Sequence, residues 1–456
     1  MGGYPAAIRA AQKGKSVALI EAKEVGGTCL NRGCIPSKTL IANAEVLQKI
    51  QDAEQFGIVV GSVNFDYAKM VDRKDNTVNK IRKSLEGLIA SNKITLFRGF
   101  GQLLGPHTIK ISGIDNEEIS ADSIIIATGS EPRNIPAFAF DFKKIHDSTS
   151  LLNLRELPKS LAIIGGGVIG CEFASLYAIL GVKVTILEML PRIIPMEAEG
   201  VSVALTKAFK KKGIAIETSV TVEGISTAGP GVCIKLAGGK TIEAEIALVS
   251  VGRTLNTQGI GLEKVGVIVQ DNGLVTVNEK METNIPNIYA IGDISSKWWL
   301  AHVATHQGLI AAENACGHSL SMNYNAVPSV IFTHPEIATV GLSLEKALEH
   351  GYQATLGSFP FSALGKSQAA IQTEGFAQIV LDKTTGQVLG AQVVGHEASA
   401  LVAEMAIVIA NELTIECITE TIHAHPTIAE AWMEAAFIGQ EMPLHFPPKQ
   451  QRAAVK

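Results

Sequence analysis

Cys29 and Cys34 stand in one short run, GGTCLNRGCIPSK, in a chain with only six cysteines. Three chemistries compete for such a pair. A zinc site needs about four ligands, and the remaining cysteines are scattered singly. Two inert buried thiols leave the flanking glycines unexplained. A reversible redox disulfide is the favoured reading, because the intervening residues can close a small ring. Pro36 and the periodic stretch SKTLIANAEVLQKI predict a helix beginning just after Cys34. A helix N-terminus lowers a thiol pKa and favours the thiolate. Such a pair requires an electron partner.

The run IIGGGVIGCE offers one. Gly165, Gly167 and Gly170 have G-x-G-x-x-G spacing, and Glu188 follows 18 residues after the last of them. The glycines follow an apolar strand and open a helix, the context that a dinucleotide site requires. Gly165 permits the tight turn and Gly167 lets backbone approach a pyrophosphate. Gly170 lets helix and strand pack closely. Glu188 can accept from a ribose 2′-OH and would repel a 2′-phosphate, so NAD(H) is predicted over NADP(H). Glu21, at the end of SVALIE, plays the same part in a first unit, with Gly3 in place of the third glycine. The earlier glycines and the first strand of that unit would lie ahead of Met1. The expectation is a start assigned too late.

The elements that must position these groups alternate strand and helix. One segment runs to Asp147, with a helix over about 4–13, a strand Ser16–Glu21 and a buried strand SIIIA. A second opens at LPKSLAIIGGG. Its end, EIALVSVGRT, echoes SIIIATGSEP of the first, a faint repeat of one nucleotide-binding design. After Ala326 the texture becomes α+β. The fold class is therefore α/β, with two Rossmann-like units and an α+β C-terminal domain. A length of 456 residues suits several domains. The net charge of −5 gives no reason to expect nucleic acid. No apolar run reaches the roughly 18 residues that suggest a membrane span. Sparse cysteines suggest a reducing, cytoplasm-like compartment.

GGTCLNRGCIPSK, IATGSEP, GGGVIGCE, YAIGD and HAHPTIAEA occur in this order, and the chain resembles the flavoprotein disulfide reductases over almost its whole length, Gly2 to about Pro443. The nearest likeness is to the branch that oxidises protein-bound dihydrolipoamide with NAD+. The resemblance implies FAD and NAD as cofactors. It implies an FAD domain over 1–147 lacking its first strand, and an NAD domain over 148–270. A return segment over 271–325, a dimerisation domain over 326–445 and a polar tail over 446–456 complete the chain. Cys34 would lie nearer the flavin, in a thiolate–flavin charge-transfer pair, and Cys29 would meet the substrate. Lys38 would sit by the flavin and pair with Glu172. Gly3, Glu21, Gly101, Thr128, Gly129, Ser130, Asp293 and the segment Leu300, Ala301 and His302 would hold FAD; Gly252 would approach NAD.

His425 would be the base, oriented by Glu430. Imidazole titrates near neutrality, as acceptance of a thiol proton requires, and a carboxylate fixes its tautomer. His423 and His334 read as structural. The resemblance also implies a homodimer whose base serves the other subunit. Its partner would be a lipoyl domain of a 2-oxoacid dehydrogenase complex or the glycine cleavage system. Thr305 and His306 depart from the family, which often has acids there. A glutathione-reductase-like activity is the alternative enzyme, and Glu188 speaks against its usual NADPH. A flavin-less, non-catalytic subunit is the alternative from another class.

Overall fold

The computed structural model describes residues 1–227 and 229–447. The tail expected over 446–456 lies, from 448 onward, outside the described residues. The chain divides into two compact α/β units: Met1–Pro158 with Ile246–Asn323, and Lys159–Glu245 with the residues from Tyr324 onward. Elements are numbered in chain order.

In the first unit α1 (Gly3–Gln12) precedes β1 (Ala18–Glu21). The strand predicted from Ser16 is trimmed, because its ladder begins where Ala18 faces Thr95 of β2 (Thr95–Gly105) in parallel register. Between them come α2 (Gly27–Arg32), α3 (Cys34–Gln51) and α4 (Tyr67–Ser91). Asp66 caps α4 by accepting from the Lys69 amide at 3.1 Å. β3 (Thr108–Gly113) and β4 (Glu117–Ser120) continue β2 as an antiparallel meander. β5 (Ile124–Ile126), shorter than the predicted SIIIA, pairs in parallel with β16 (Ile288–Ala290). Among the described residues β1 has β2 on one edge only, and β5 and β16 stand as a pair of their own. β6 (Ser130–Pro132) meets β15 (Arg253–Leu255), and β7 (Ile145–His146) meets β14 (Ile246–Val249). Short helices α5 (Ser148–Leu151) and α8 (Leu262–Val265) and the long α9 (Ala301–Ala315) complete the unit. α9 crosses the start of α1 closely: a Cβ on Gly308 would fall 2.4 Å from the Gly2 carbonyl oxygen.

The second unit opens with the predicted strand, turn, helix and strand. β8 (Ser160–Ile164) and β9 (Lys183–Leu187) pair in parallel with Ser160 facing Lys183, and α6 (Val168–Ile179) joins them. Eight of its residues are buried, so its apolar, all-round sequence suits a core helix. α7 (Glu199–Lys211) leads to β10 (Ala215–Glu217), which extends the parallel set beside β9. β11 (Val222–Ser226), β12 (Val232–Leu236) and β13 (Thr241–Ala244) form an antiparallel sheet. The α+β portion is a five-stranded antiparallel sheet. Its order is β17 (Ser329–Ile331), β18 (Ile337–Gly341), β21 (Val388–Val394), β20 (Phe376–Asp382) and β19 (Ala354–Pro360). Helices α10 (Leu344–Glu349), α11 (Gly365–Ala369), α12 (Ala398–Ala410), α13 (Ile415–Thr419) and α14 (Glu430–Gly439) accompany it. α12 lies on β18 and β21, and α14 on β19 and β20. Trp432, Phe359, Phe361 and Met405 fill the core between helices and sheet.

Candidate active site

The paired cysteines sit at a break between two helices. Cys29 lies within α2, Gly33 interrupts the helical path with φ −137° and ψ −107°, and Cys34 is the first residue of α3. The helix thus begins on the cysteine itself, so the unsatisfied N–H groups of its first turn surround this sulfur. Asn31 fastens the preceding loop by donating to the carbonyls of Val25 at 2.9 Å and Gly27 at 3.0 Å. The two sulfurs lie within hydrogen-bonding reach of each other. The bond between them first, and burial second, push the Cys29 thiol far up. Lys38 lies four residues along α3 from Cys34, on the same helical face.

Some of the groups expected to hold FAD come near this turn, Glu21 and Asp293 among them. The buried α-amino group of Met1 feels the charges of Cys29, Asp293, Glu21 and Cys34 together. Glu21 ends β1 and accepts from the Lys23 amide at 2.9 Å. Burial nevertheless raises its carboxyl above the ordinary range, the condition of a carboxylate short of donors. Thr128 donates to the Asn256 carbonyl at 2.7 Å, and Gly129 has φ +70° with open space where a Cβ would stand. The Ser130 hydroxyl donates to Asp293. Gly101 rests on Ile20 of β1, and Gly3 opens α1. Leu300 caps α9, and Ala301 and His302 form its first turn. An acid at a strand end, an open glycine and a second acid held by a serine suit the ribose and ribityl hydroxyls of FAD.

The second unit holds the other dinucleotide motif. Gly165 turns at φ +103°, a left-handed conformation that favours glycine, and Gly167 caps α6 with nothing where its Cβ would be. The open N-terminus of α6 is an anion site of the dinucleotide kind. Gly170 is buried within α6. Glu188 accepts from the Gly166 amide at 2.6 Å and from the Leu190 amide at 2.8 Å, which fixes its charge at the end of β9. Glu172, one turn into α6, accepts from the Phe332 amide at 3.0 Å. Lys38 and Glu172 belong to different units. Gly252 lies in the first unit just after β14, with φ +111° and open space at its Cβ.

Also in the second unit, His425 Nδ1 donates to Glu430 Oε1 at 2.8 Å, and the Thr427 amide donates to Glu430 Oε2 at 2.9 Å. Glu430 is the first residue of α14, where the helix dipole favours an anion. Burial opposes its ionisation, but the bonds from His425 and Thr427 outweigh it and hold the carboxyl below its usual range. Nδ1 is committed, so Nε2 is the free acceptor, on a ring that is 77 % exposed. Of the histidines read as structural, His423 binds Glu404 at 3.1 Å, and the His334 amide donates to the Ser175 hydroxyl.

Sequence reasoning passed over Arg253. It donates from Nε to the Ser130 hydroxyl and from Nη2 to the Ser130 carbonyl, each at 2.6 Å, and lies 3.9 Å from Asp293. The signal was its place directly after Gly252 in VGRT. Asn256 was missed as well; its amide returns a bond to the Thr128 carbonyl at 3.0 Å.

Residues 1–308 match the model for "Pyridine nucleotide-disulphide oxidoreductase", and residues 327–436 match the dimerisation domain of that family. A dihydrolipoyl dehydrogenase from Chlamydia pneumoniae is 52 % identical, over 98 % of this chain and 96 % of its own. One from Geobacillus stearothermophilus is 40 % identical with the same coverage. Among solved structures, LpdA from Mycobacterium tuberculosis superposes with a TM-score of 0.90 at 28 % identity, over 95 % of this chain and 96 % of its own. No helix among the described residues is long and apolar enough to cross a membrane.

Proposed function

The chain belongs to the pyridine nucleotide-disulphide oxidoreductase family, and from that premise we propose that it oxidises protein-bound dihydrolipoamide with NAD+. FAD mediates the transfer, and Cys29 and Cys34 cycle between dithiol and disulfide. The observation that carries this reading is the thiol pair across the α2–α3 break, in a chain alike over its whole length to dihydrolipoyl dehydrogenases.

Glu21, Gly129, Ser130 and Asp293 would hold FAD, with Lys38 beside the thiols. The turn at Gly165–Gly170 and Glu188 would hold NAD+. Bound there, FAD would supply the two-electron acceptor for the thiol pair and the hydride donor for NAD+. The chain's own residues do the rest. One thiolate of the substrate attacks Cys29 Sγ of the bridged pair. The Cys29–Cys34 bond breaks, and Cys34 leaves as a thiolate at the N-terminus of α3, where the peptide dipoles stabilise it. The second substrate sulfur attacks the mixed disulfide and releases Cys29. The substrate departs as a disulfide, two electrons and two protons poorer. His425 Nε2 accepts a proton from the attacking thiol, and Glu430 stabilises the imidazolium. NAD+ carries away one hydride, so each turnover releases one net proton.

The protein works as a homodimer, with the base of one protomer serving the thiols of the other. Its partner is a lipoyl domain of a 2-oxoacid dehydrogenase complex or of the glycine cleavage system, and its place is the cytoplasm. The test is Cys29→Ser. Dihydrolipoamide-dependent NADH formation should fall by about three orders of magnitude or more, with flavin absorbance retained. Undiminished turnover, or a purified wild-type protein without flavin colour, overturns the reading.

A further inference from the structure

Glu430 is not the only acid on its face of α14. Glu434 lies four residues on, so the two carboxylates are neighbours one turn apart. Each holds one imidazole by Nδ1 and one backbone amide. Glu430 takes His425 at 2.8 Å and the Thr427 amide at 2.9 Å. Glu434 takes the His445 ring at 2.7 Å and the His445 amide at 3.2 Å. Both rings are exposed, 77 % and 68 %, but the Glu434 side chain is only 3 % exposed. Phe446 fastens the same segment by an edge contact with buried Phe359, centroids 6.1 Å apart. A buried carboxylate without a countercharge is costly and charges its surroundings. Here the surroundings are the His425–Glu430 pair.

We propose that His445, seated on Glu434, is a positioning residue for the catalytic base: it neutralises that carboxylate and so keeps His425 from holding its proton too tightly. The inference rests on the reading of His425 as the base. When its ring is protonated, His445 is near enough for its charge to reach Glu430. Burial is the largest influence on that carboxyl and opposes ionisation, yet His445 is among the groups that draw it down. The charged groups facing His445 from α14 are Glu434 and Glu430, with His425 beyond. β19, which carries Phe359, has no ionisable side chain. Of the other elements packed on α14, α13 presents Glu416, held by Gln440 at 3.3 Å. β20 ends in Asp382, held by Thr385 at 2.9 Å.

The sign follows from the charges. In His445→Gln an anion stands uncompensated beside the base. A nearby anion favours imidazolium, so the acid limb of the kcat/KM profile for dihydrolipoamide should move up by about half a pH unit. In Glu434→Gln a cation stands uncompensated, and the limb should move down. A merely structural role would lower kcat in both variants without opposite displacements. Limbs that stay in place, or move the same way, overturn the proposal. His425→Gln separates the two claims. Turnover surviving in that variant sinks the base assignment; turnover lost there, with both limbs fixed, sinks only the role of His445.

Discussion

Glu188 has each carboxylate oxygen anchored to a backbone amide, and the proposed NAD+ site sets it beside the ribose. A 2′-phosphate placed there would bring close to two negative charges against a fixed third. Steady-state kinetics should therefore show kcat/KM for NADH exceeding that for NADPH by about 100-fold or more. Glu188→Ala should narrow the ratio about tenfold and weaken binding of both, since the Gly166 amide loses its acceptor. His423 gives a prediction of another kind. Its hydrogen bond to Glu404 is the leading cause that raises its pKa, against burial. A group raised on folding stabilises fully below its unfolded pKa of about 6.5 and loses that contribution as pH rises through the folded value. His423→Gln should thus cost roughly 0.5 kcal/mol at pH 5.5 and almost nothing at pH 9, readable in urea denaturation at the two values.

At the scale of elements, the crossing of α1 and α9 depends on Gly308, because a methyl group would press on the Gly2 carbonyl oxygen. Gly308→Ala should destabilise the first unit by about 1–3 kcal/mol and lower its retention of FAD on dilution, measured by flavin fluorescence. The sequence foretold elements whose signal is local. β8, the glycine turn, α6 and β9 appear where spacing placed them, and α3 begins on Cys34. β1 and β5 are shorter than their apolar runs, since a ladder extends only where a partner strand faces it. The hidden parts join residues far apart in the chain. Arg253 reaches Ser130 across 123 positions, and Ser130 reaches Asp293 across 163. Periodicity tells which face of an element is buried, but not which distant face covers it. The same limit hid the pairing of His445 with Glu434 and the β17-β18-β21-β20-β19 order. The dyad of His425 and Glu430 was foreseen from the resemblance carried by HAHPTIAEA, a single short run.

For the molecule as a whole, the proposed sharing of sites would make activity a property of pairs. Mixing Cys29→Ser and His425→Gln protomers after dissociation should restore about a quarter of wild-type turnover. Half the reassembled dimers would then carry one complete site out of two. Homodimers of either variant should stay inactive, and recovery of nothing would place base and thiols within one chain. The scaffold under His425 has a further consequence. β21 is buried at every residue, between hydrogen-bonded neighbours β18 and β20. Its amides meet solvent only when the sheet comes apart, so they should be among the slowest in the chain to take up deuterium. Glu430 rides on α14, which packs on β20, the strand bonded to β21, so the carboxylate that holds the imidazole should keep its place until that sheet opens.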